Sequence, residues 1–253
     1  MLEHYSLTTY LLPLVFFIVA FIYSSVGLGG GSTYTALMAL IGMSAAVIPM
    51  VSLSLNLAVT TIGSINFIRH GHARLKLIAP FLISSIPMAY VGGSLNVPAE
   101  IFYWVLLLSL SLVAARIYFW ESTSLKLDLT PQLKVALSLI SGGLLGLIAG
   151  IAGIGGGVYL VPLVVILGLG SAKEAAACGA IFVWLNSLSG LTARWQFNPV
   201  DITDYLPLLG AVLIGGMLGS FMGARKFSAK TMEKLLGIIV IVASLFLMKR
   251  LFL

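Results

Sequence analysis

Charge is what this 253-residue chain has least of. Asp, Glu, Lys and Arg make up 9% of it, against 60% hydrophobic residues. A soluble domain carries about 25% charged residues. With a mean hydropathy of +1.11 and apolar runs of spanning length along nearly the whole sequence, the chain reads as an all-α polytopic membrane protein. No stretch is left over for a soluble domain. The single cysteine, Cys178, excludes an internal disulfide and a cysteine metal cluster. All eight acidic residues fall near segment ends or in loops, so the usual intramembrane carboxylate site for a proton or sodium is missing. There are no paired carboxylates, no Cys/His metal spacing and no nucleophile beside a base. The reading is therefore not an enzyme, with no metal and no cofactor. The opening Met1-Leu2-Glu3-His4 lacks Lys and Arg, and no cleavage pattern follows. It is expected to be an uncleaved first helix rather than a signal peptide.

What the chain does have is glycine, and its strongest run occurs twice. Val26-Gly27-Leu28-Gly29-Gly30-Gly31-Ser32-Thr33-Tyr34 returns 126 positions later as Ala152-Gly153-Ile154-Gly155-Gly156-Gly157-Val158-Tyr159-Leu160. Each copy interrupts a long apolar stretch. Apolar segments are expected at 10–27, 32–42, 45–68, 77–95 and 99–120, then at 133–152, 157–168, 172–195, 203–223 and 231–252. Long and short segments follow the same order in both sets. The same offset aligns Gly42 with Gly168, Ser64 with Gly190 and Gly93 with Gly219. The chain thus divides into a first transmembrane repeat (1–120), a cytoplasmic linker (121–132) and a second transmembrane repeat (133–253). Segment 157–168 would be about 18 Å long at 1.5 Å per residue, too short to span. A returning hairpin with the glycines at its tip fits each broken pair best.

Lys and Arg set the orientation. The loop with Arg69, Arg74 and Lys76 is rich, and the loop around Asn96-Val97-Pro98 carries none. In the second half the order reverses, with Arg194 alone in one loop and Arg225, Lys226, Lys230 and Lys234 in the next. Hairpins that return to their own side put every rich loop on one face, with only Arg194, Lys249 and Arg250 opposite. The halves are then inverted-topology repeats, each a glycine-tipped broken or re-entrant helix pair plus three transmembrane helices. A net charge of +6 is what cytoplasmic loops facing anionic lipid produce, and no basic run suggests nucleic acid.

A Gly-broken segment at matching positions of two halves points to a transporter's binding site. Short helices beginning after each run present unpaired N–H groups and a partial positive charge. Two of them aimed at the midplane would form an anion site without a buried cation. The candidate substrate-binding residues are Gly29, Gly30, Gly31, Ser32 and Thr33 at the first run and Gly155, Gly156 and Gly157 at the second. Asn56, Asn186 and Ser189 join them from the polar faces of the third long segments, together with Arg194, whose guanidinium suits an oxyanion. The bland alternatives are close helix packing for glycines, interhelical hydrogen bonds for the polar residues, and snorkelling for Arg194. Packing is expected for Gly143, Gly146, Gly150, Gly215, Gly216, Gly219 and Gly223. His70 and His72 read as solvated loop residues, and the tryptophans as interface anchors or packing.

The chain resembles the sulfite exporter TauE/SafE family of membrane permeases. The resemblance rests on Gly29-Gly30-Gly31, on Gly153-Ile154-Gly155-Gly156-Gly157-Val158-Tyr159-Leu160-Val161-Pro162, and on two related halves. In the first half Ala36 stands where Pro162 aligns. The resemblance implies transport of a small sulfur-containing anion, sulfite or an organosulfonate such as sulfoacetate, across a prokaryotic cell membrane. A negative interior drives anions out by about 2.3 kcal/mol per charge per 100 mV, which favours export. A proton or sodium coupling ion and a homodimer stay open. The alternatives are an anion channel of the same architecture, an uptake permease for a sulfonate or other small organic anion, and, in another class, an intramembrane enzyme or membrane assembly protein.

Overall fold

The computed structural model describes residues 2–25, 29–69, 74–119, 129–222 and 229–252. His70, His72 and most of the central linker lie outside them. Ten α-helices account for nearly all of it: α1 (Leu2–Ser25), α2 (Gly31–Leu40), α3 (Val47–Arg69), α4 (Leu75–Ser94), α5 (Ala99–Phe119), α6 (Pro131–Ala152), α7 (Gly157–Ile166), α8 (Ala172–Phe197), α9 (Leu206–Met222) and α10 (Ala229–Phe252). A 3₁₀ turn, Thr203–Tyr205, leads into α9. Five stretches are long and apolar enough to cross a membrane: Val47–Ile65, Lys76–Ser94, Ala99–Tyr118, Pro131–Ala152 and Glu174–Phe197. Large apolar side chains such as Ile83, Leu108, Ile140 and Phe221 point outward, as they must where the surrounding solvent is lipid.

Helices α2 and α7 have ten residues each, about 15 Å, or half a hydrocarbon core. Their first turns are built alike. Each begins after a left-handed glycine, Gly30 (φ 81°) or Gly156 (φ 75°), a conformation that costs other residues roughly 1–2 kcal/mol. Gly30 O accepts from the amides of Thr33 and Tyr34, and Gly156 O from those of Tyr159 and Leu160. Their ends match too. Met43 N–H donates to Met38 O and Leu169 N–H to Val164 O, around Gly42 and Gly168, both at positive φ. These bonds coincide under the 126-residue offset. The segments expected at 32–42 and 157–168 become α2 from Gly31 and α7 from Gly157; α2 starts one residue earlier than expected because its glycine N-cap already turns the chain.

The packing repeats as well. The strongest helix pairs are α4 with α6 and α1 with α9, and the offset converts one pair into the other. Both are close approaches of small residues. A Cβ at Gly146 would collide with Ser85 O, one at Gly150 with Ala89 O, and one at Gly219 with Phe21 O. The packing role expected for Gly146, Gly150, Gly215 and Gly219 is what the structure contains. Gly143 differs, since a Cβ there would meet nothing nearer than 3.7 Å. Its neighbour Gly142 faces α4 instead. Gly223 lies outside the described residues.

Helix ends gather in two groups. In the first, Arg74 Nη1 pairs with Glu174 Oε1 at 3.0 Å, and Gly170 sits against Leu77. Glu174 also closes a capping box with Ser171 at the start of α8. The end of α7, at Gly168, lies beside the Lys134 ammonium near the start of α6, so α7 returns toward the end from which α6 came. In the second group, Asn198 Nδ2 donates to the carbonyls of Gly93, Ser94 and Leu95. Arg250 stacks 4.2 Å above the Tyr103 ring, and Trp104 meets Phe252 edge-on. Helix α3 starts beside Ala45 and Ala46, which line the same mouth as Leu95 and Asn198. It therefore runs from the second group to the first, whereas α8 runs from the first to the second.

Candidate functional site

The two glycine turns meet where α3 crosses α8. Residues 29–36 and 152–158 are buried throughout. A Cβ at Gly31 would collide with the Ile154 carbonyl oxygen and with the Asn56 amide. One at Gly29 would lie 3.0 Å from Val183 and 3.3 Å from Asn56 Oδ1, and one at Gly155 2.8 Å from Val183 and 3.1 Å from Asn56 Nδ2. Asn56 on α3 and Val183 on α8 are thus wedged between both turns. Of the predicted residues, the structure brings together Gly29, Gly30, Gly31, Gly155, Gly156, Gly157 and Asn56.

Asn56 has a defined orientation. Its Nδ2 donates to Gly153 O at 3.1 Å, which also accepts from Ser52 Oγ at 2.7 Å. That fixes the amide and leaves Oδ1 buried without a partner. Asn186, fully buried, repeats the arrangement: Nδ2 donates to Phe182 O at 2.8 Å and Oδ1 is unpartnered. It lies one turn beyond Val183, on the same face of α8. Buried amide oxygens without donors each cost about 1–3 kcal/mol. Two of them on helices flanking one crossover mark a place where an incoming group can supply hydrogen bonds.

The backbone offers donors beside them. Among the described residues, the N–H groups of Gly31, Ser32, Gly157 and Val158 have no hydrogen-bond partner. They are the first-turn amides a helix cannot satisfy internally, and they carry the positive end of the helix dipole. The hydroxyls expected to join them are engaged elsewhere. Tyr23 Oη lies 2.8 Å from Thr33 Oγ1 and 3.3 Å from Ser32 Oγ. Tyr23 escapes the sequence reading because a tyrosine ring in an apolar helix looks like packing; its signal is a hydroxyl that needs a partner when buried. Tyr34, fully buried and stacked on Phe16 at 5.5 Å, covers Gly30, and its hydroxyl has no partner.

Two predicted residues do other work in this conformation. Ser189 Oγ donates to Ile86 O at 2.7 Å, tying α8 to α4. Arg194 does not snorkel; it is 6% exposed. Its Nε and Nη2 donate to Gly150 O at 3.3 and 3.0 Å, and Nη2 also to Ile151 O at 2.8 Å. It thereby caps the last carbonyls of α6, just before the second glycine turn. Trp184, expected as an anchor or packing residue, bonds through Nε1 to Thr61 Oγ1 across α3 and α8. Among the described residues, no group of three or more His, Cys, Asp or Glu could hold a metal ion.

The chain is similar to known membrane proteins along nearly its full length. The family model of the sulfite exporter TauE/SafE matches residues 12–247. "Probable membrane transporter protein y4hK" of Sinorhizobium fredii (strain NBRC 101917 / NGR234) is 35% identical over 92% of this chain and 96% of its own length. "Probable membrane transporter protein YunE" of Bacillus subtilis (strain 168) is 31% identical over 38% of this chain and 35% of its own. No solved structure matches. With apolar helices of spanning length, paired glycine turns and a family match over residues 12–247, the chain belongs to the TauE/SafE family of multi-pass cell-membrane transporters.

Proposed function

We propose that the protein exports a small sulfur-containing oxyanion, sulfite or an organosulfonate, by alternating access around the two glycine turns. The observation that carries the reading is the meeting of two half-span helix N-termini in a buried crossover, with, among the described residues, four unpaired amides and no carboxylate beside them. Such a place favours an anion and needs no buried cation. The crossover is sealed in this conformation, so release requires one group of helices to move against another, which suits a carrier better than a channel. Because the closest pairs, α4–α6 and α1–α9, each join one half (1–120) to the other (133–253), the moving units in this reading are bundles drawn from both halves, one built on α1–α9 and the other on α4–α6. The inverted relation of the halves is supported by the opposite directions of α3 and α8 and by the exchanged pairs α1–α9 and α4–α6. Arg74, Lys76 and Lys134 share one end, which the positive-inside rule makes cytoplasmic. Export then runs with the membrane potential.

Reconstitution tests this. Purified protein in proteoliposomes would be assayed for flux of sulfite, sulfate, thiosulfate, taurine, sulfoacetate and acetate, with and without proton or sodium gradients. Saturable, trans-stimulated flux of a sulfur anion is expected. Unsaturating current would make it a channel. Flux that needs a gradient to run inward would make it an uptake permease, and preference for acetate would move the substrate out of the sulfur class.

A further inference from the structure

A cavity of about 170 Å³ opens at the helix-end group opposite Arg74 and Lys134. Its walls are mainly apolar, with Leu95, Val97 and Phe102 on one side. Its polar contributors are Arg194, Asn96 and Asn198. Ile151 lines it as well, and Gly153, where the second glycine turn begins, follows two residues later. The cavity is therefore a vestibule beside the end of α6, two residues before the second glycine turn; among the described residues, none that forms the crossover itself lines it.

Arg194 is the only charged residue in that lining. Its partners are carbonyls alone, reached through Nε and Nη2. Among the described residues, Nη1 makes no hydrogen bond and no carboxylate forms an ion pair with the side chain; the ion pair among them is Arg74 with Glu174. A cation that is more than nine-tenths buried ordinarily has an anionic partner. Capping carbonyls compensates it only in part. The two N–H groups of Nη1 remain for an oxyanion, as charge-assisted donors that diverge from one nitrogen.

We infer that this vestibule is an anion subsite beside the second glycine turn, and that it selects a single oxyanion head with an apolar tail or none. The inference rests on the anion-transport reading and sharpens it. One guanidinium can neutralise one negative charge. A second charge on the ligand would face Leu95, Val97 and Phe102 without a counter-ion, which is costly in a low dielectric. Monoanions such as methanesulfonate or hydrogen sulfite fit the site. Sulfate and sulfoacetate, with two charges, fit it poorly.

The test is titration calorimetry on purified, full-length protein with methanesulfonate, sulfoacetate and sulfate, in parallel with the flux assay. Methanesulfonate should bind at least roughly tenfold more tightly than either dianion. Arg194→Gln should weaken it by roughly tenfold or more, and Arg194→Lys by less, because charge survives but the planar fork is lost. Arg194 also caps α6, so a folding defect could mimic the loss. Asn96→Asp avoids this by placing a negative charge in the vestibule lining without touching the cap. It should raise the methanesulfonate dissociation constant severalfold, with the effect shrinking as salt increases. Equal or tighter binding of sulfate, or indifference to both Arg194→Gln and Asn96→Asp, overturns the subsite even if flux is robust. Arg194-dependent binding without flux of any sulfur anion keeps the subsite and overturns the transport reading.

Discussion

The two glycine turns share a backbone and differ in their surroundings. Gly30 and Gly156 have the same dihedral angles, and the helices after them have the same first and last hydrogen bonds. Yet the first turn is ringed by hydroxyls, with Tyr23 bound to Ser32 and Thr33. Under the 126-residue offset those positions become Ala149, Val158 and Tyr159. The second turn is held differently, by Ser52 and Asn56 reaching from α3 to Gly153 O. Their counterparts on α8 are Cys178 and Phe182, which make no equivalent bond. Both polar contributions therefore come from the first repeat. Duplication supplied a symmetric frame, and the chemistry inside it became one-sided. A ligand at the crossover would meet hydroxyls and the Asn56 amide from one half, and backbone with the Asn186 amide from the other.

The sharpest way to break the comparison is at equivalent glycines. A methyl at Gly31 would collide with the Ile154 carbonyl, which is backbone and cannot rotate away. A methyl at Gly157 meets the Val183 side chain at 2.6 Å and nothing else nearer than 3.4 Å. Gly31→Ala should therefore reduce flux per inserted protein by roughly 100-fold or more, by the severity of a core backbone clash. Gly157→Ala should cost roughly tenfold and recover when combined with Val183→Ala, a non-additivity expected of touching residues. Equal losses, or no recovery in the double variant, would mean that the turns are constrained alike.

Asn56 comes next. Asn56→Leu removes the unpartnered Oδ1 and the Nδ2 donor together, while Ser52 still bonds Gly153 O. Replacing both halves of such an arrangement with an apolar group of similar size is close to neutral for stability. Thermal unfolding should stay within about 1 kcal/mol of the parent. Flux should fall roughly fivefold through loss of the Nδ2 bond that holds Gly153 O at the second turn, since Oδ1 only accepts and offers an oxyanion nothing. A large drop in stability with normal flux in the surviving protein would make Asn56 a purely structural clamp. At the hydroxyl ring, Thr33→Val should raise KM about threefold through the loss of one hydrogen bond. Val158→Thr should not lower KM, because Ala149 stands where Tyr23 would be needed and the new hydroxyl has no partner. A fall in KM with Val158→Thr would show that the second turn also reads the ligand.

Glycine spacing, segment lengths and loop charge carry most of the fold in the sequence. The half-span helices follow from a dozen apolar residues between glycines, which no bilayer-crossing helix can match. The helix-end groups follow from Lys and Arg placement, with Arg74 and Lys134 together and Arg194 opposite. The site was legible only at the level of backbone, because the glycines announce the turns but not what faces them. Asn56 and Ser189 look alike in sequence, each a polar residue in a long apolar helix. Only the helix crossing separates them, turning Asn56 into the glycine turns and Ser189 into α4. Tyr23 and Val183 are invisible for the same reason: their role depends on contacts distant in sequence, from Tyr23 to Ser32 and Thr33 and from Val183 back to Gly29, which periodicity does not encode. Arg194 lay between two readings because its distance from the helix end allowed snorkelling, and only the carbonyls of Gly150 and Ile151 draw it inward.

The smallest effect should come from a glycine that both the sequence and its neighbours make look important. Gly143 sits in α6 between Gly142 and Gly146, on a helix whose contact with α4 depends on small residues. Gly146 cannot accept a Cβ, because Ser85 O occupies the space. Gly143 points some 60° away from Gly146 around the helix, where a Cβ would find Met88 at 3.7 Å and Ser84 at 3.8 Å. Those are ordinary van der Waals distances, so the methyl adds contact without strain. Alanine also loses less conformational freedom than glycine on entering a helix, by about 0.5–1 kcal/mol. Gly143→Ala should therefore leave flux unchanged and raise thermal stability by up to about 1 kcal/mol, whereas Gly146→Ala should disrupt the α4–α6 pair and lower the yield of folded protein. The same contrast is expected in the other close helix pair, α1–α9, between Gly219→Ala, blocked by Phe21 O, and Gly210→Ala, where no atom lies within 4 Å. Differential scanning fluorimetry on the four variants would check it. Both close helix pairs, α4–α6 and α1–α9, should respond alike, and an uneven response would mean that the two pairs do not depend on small residues to the same degree.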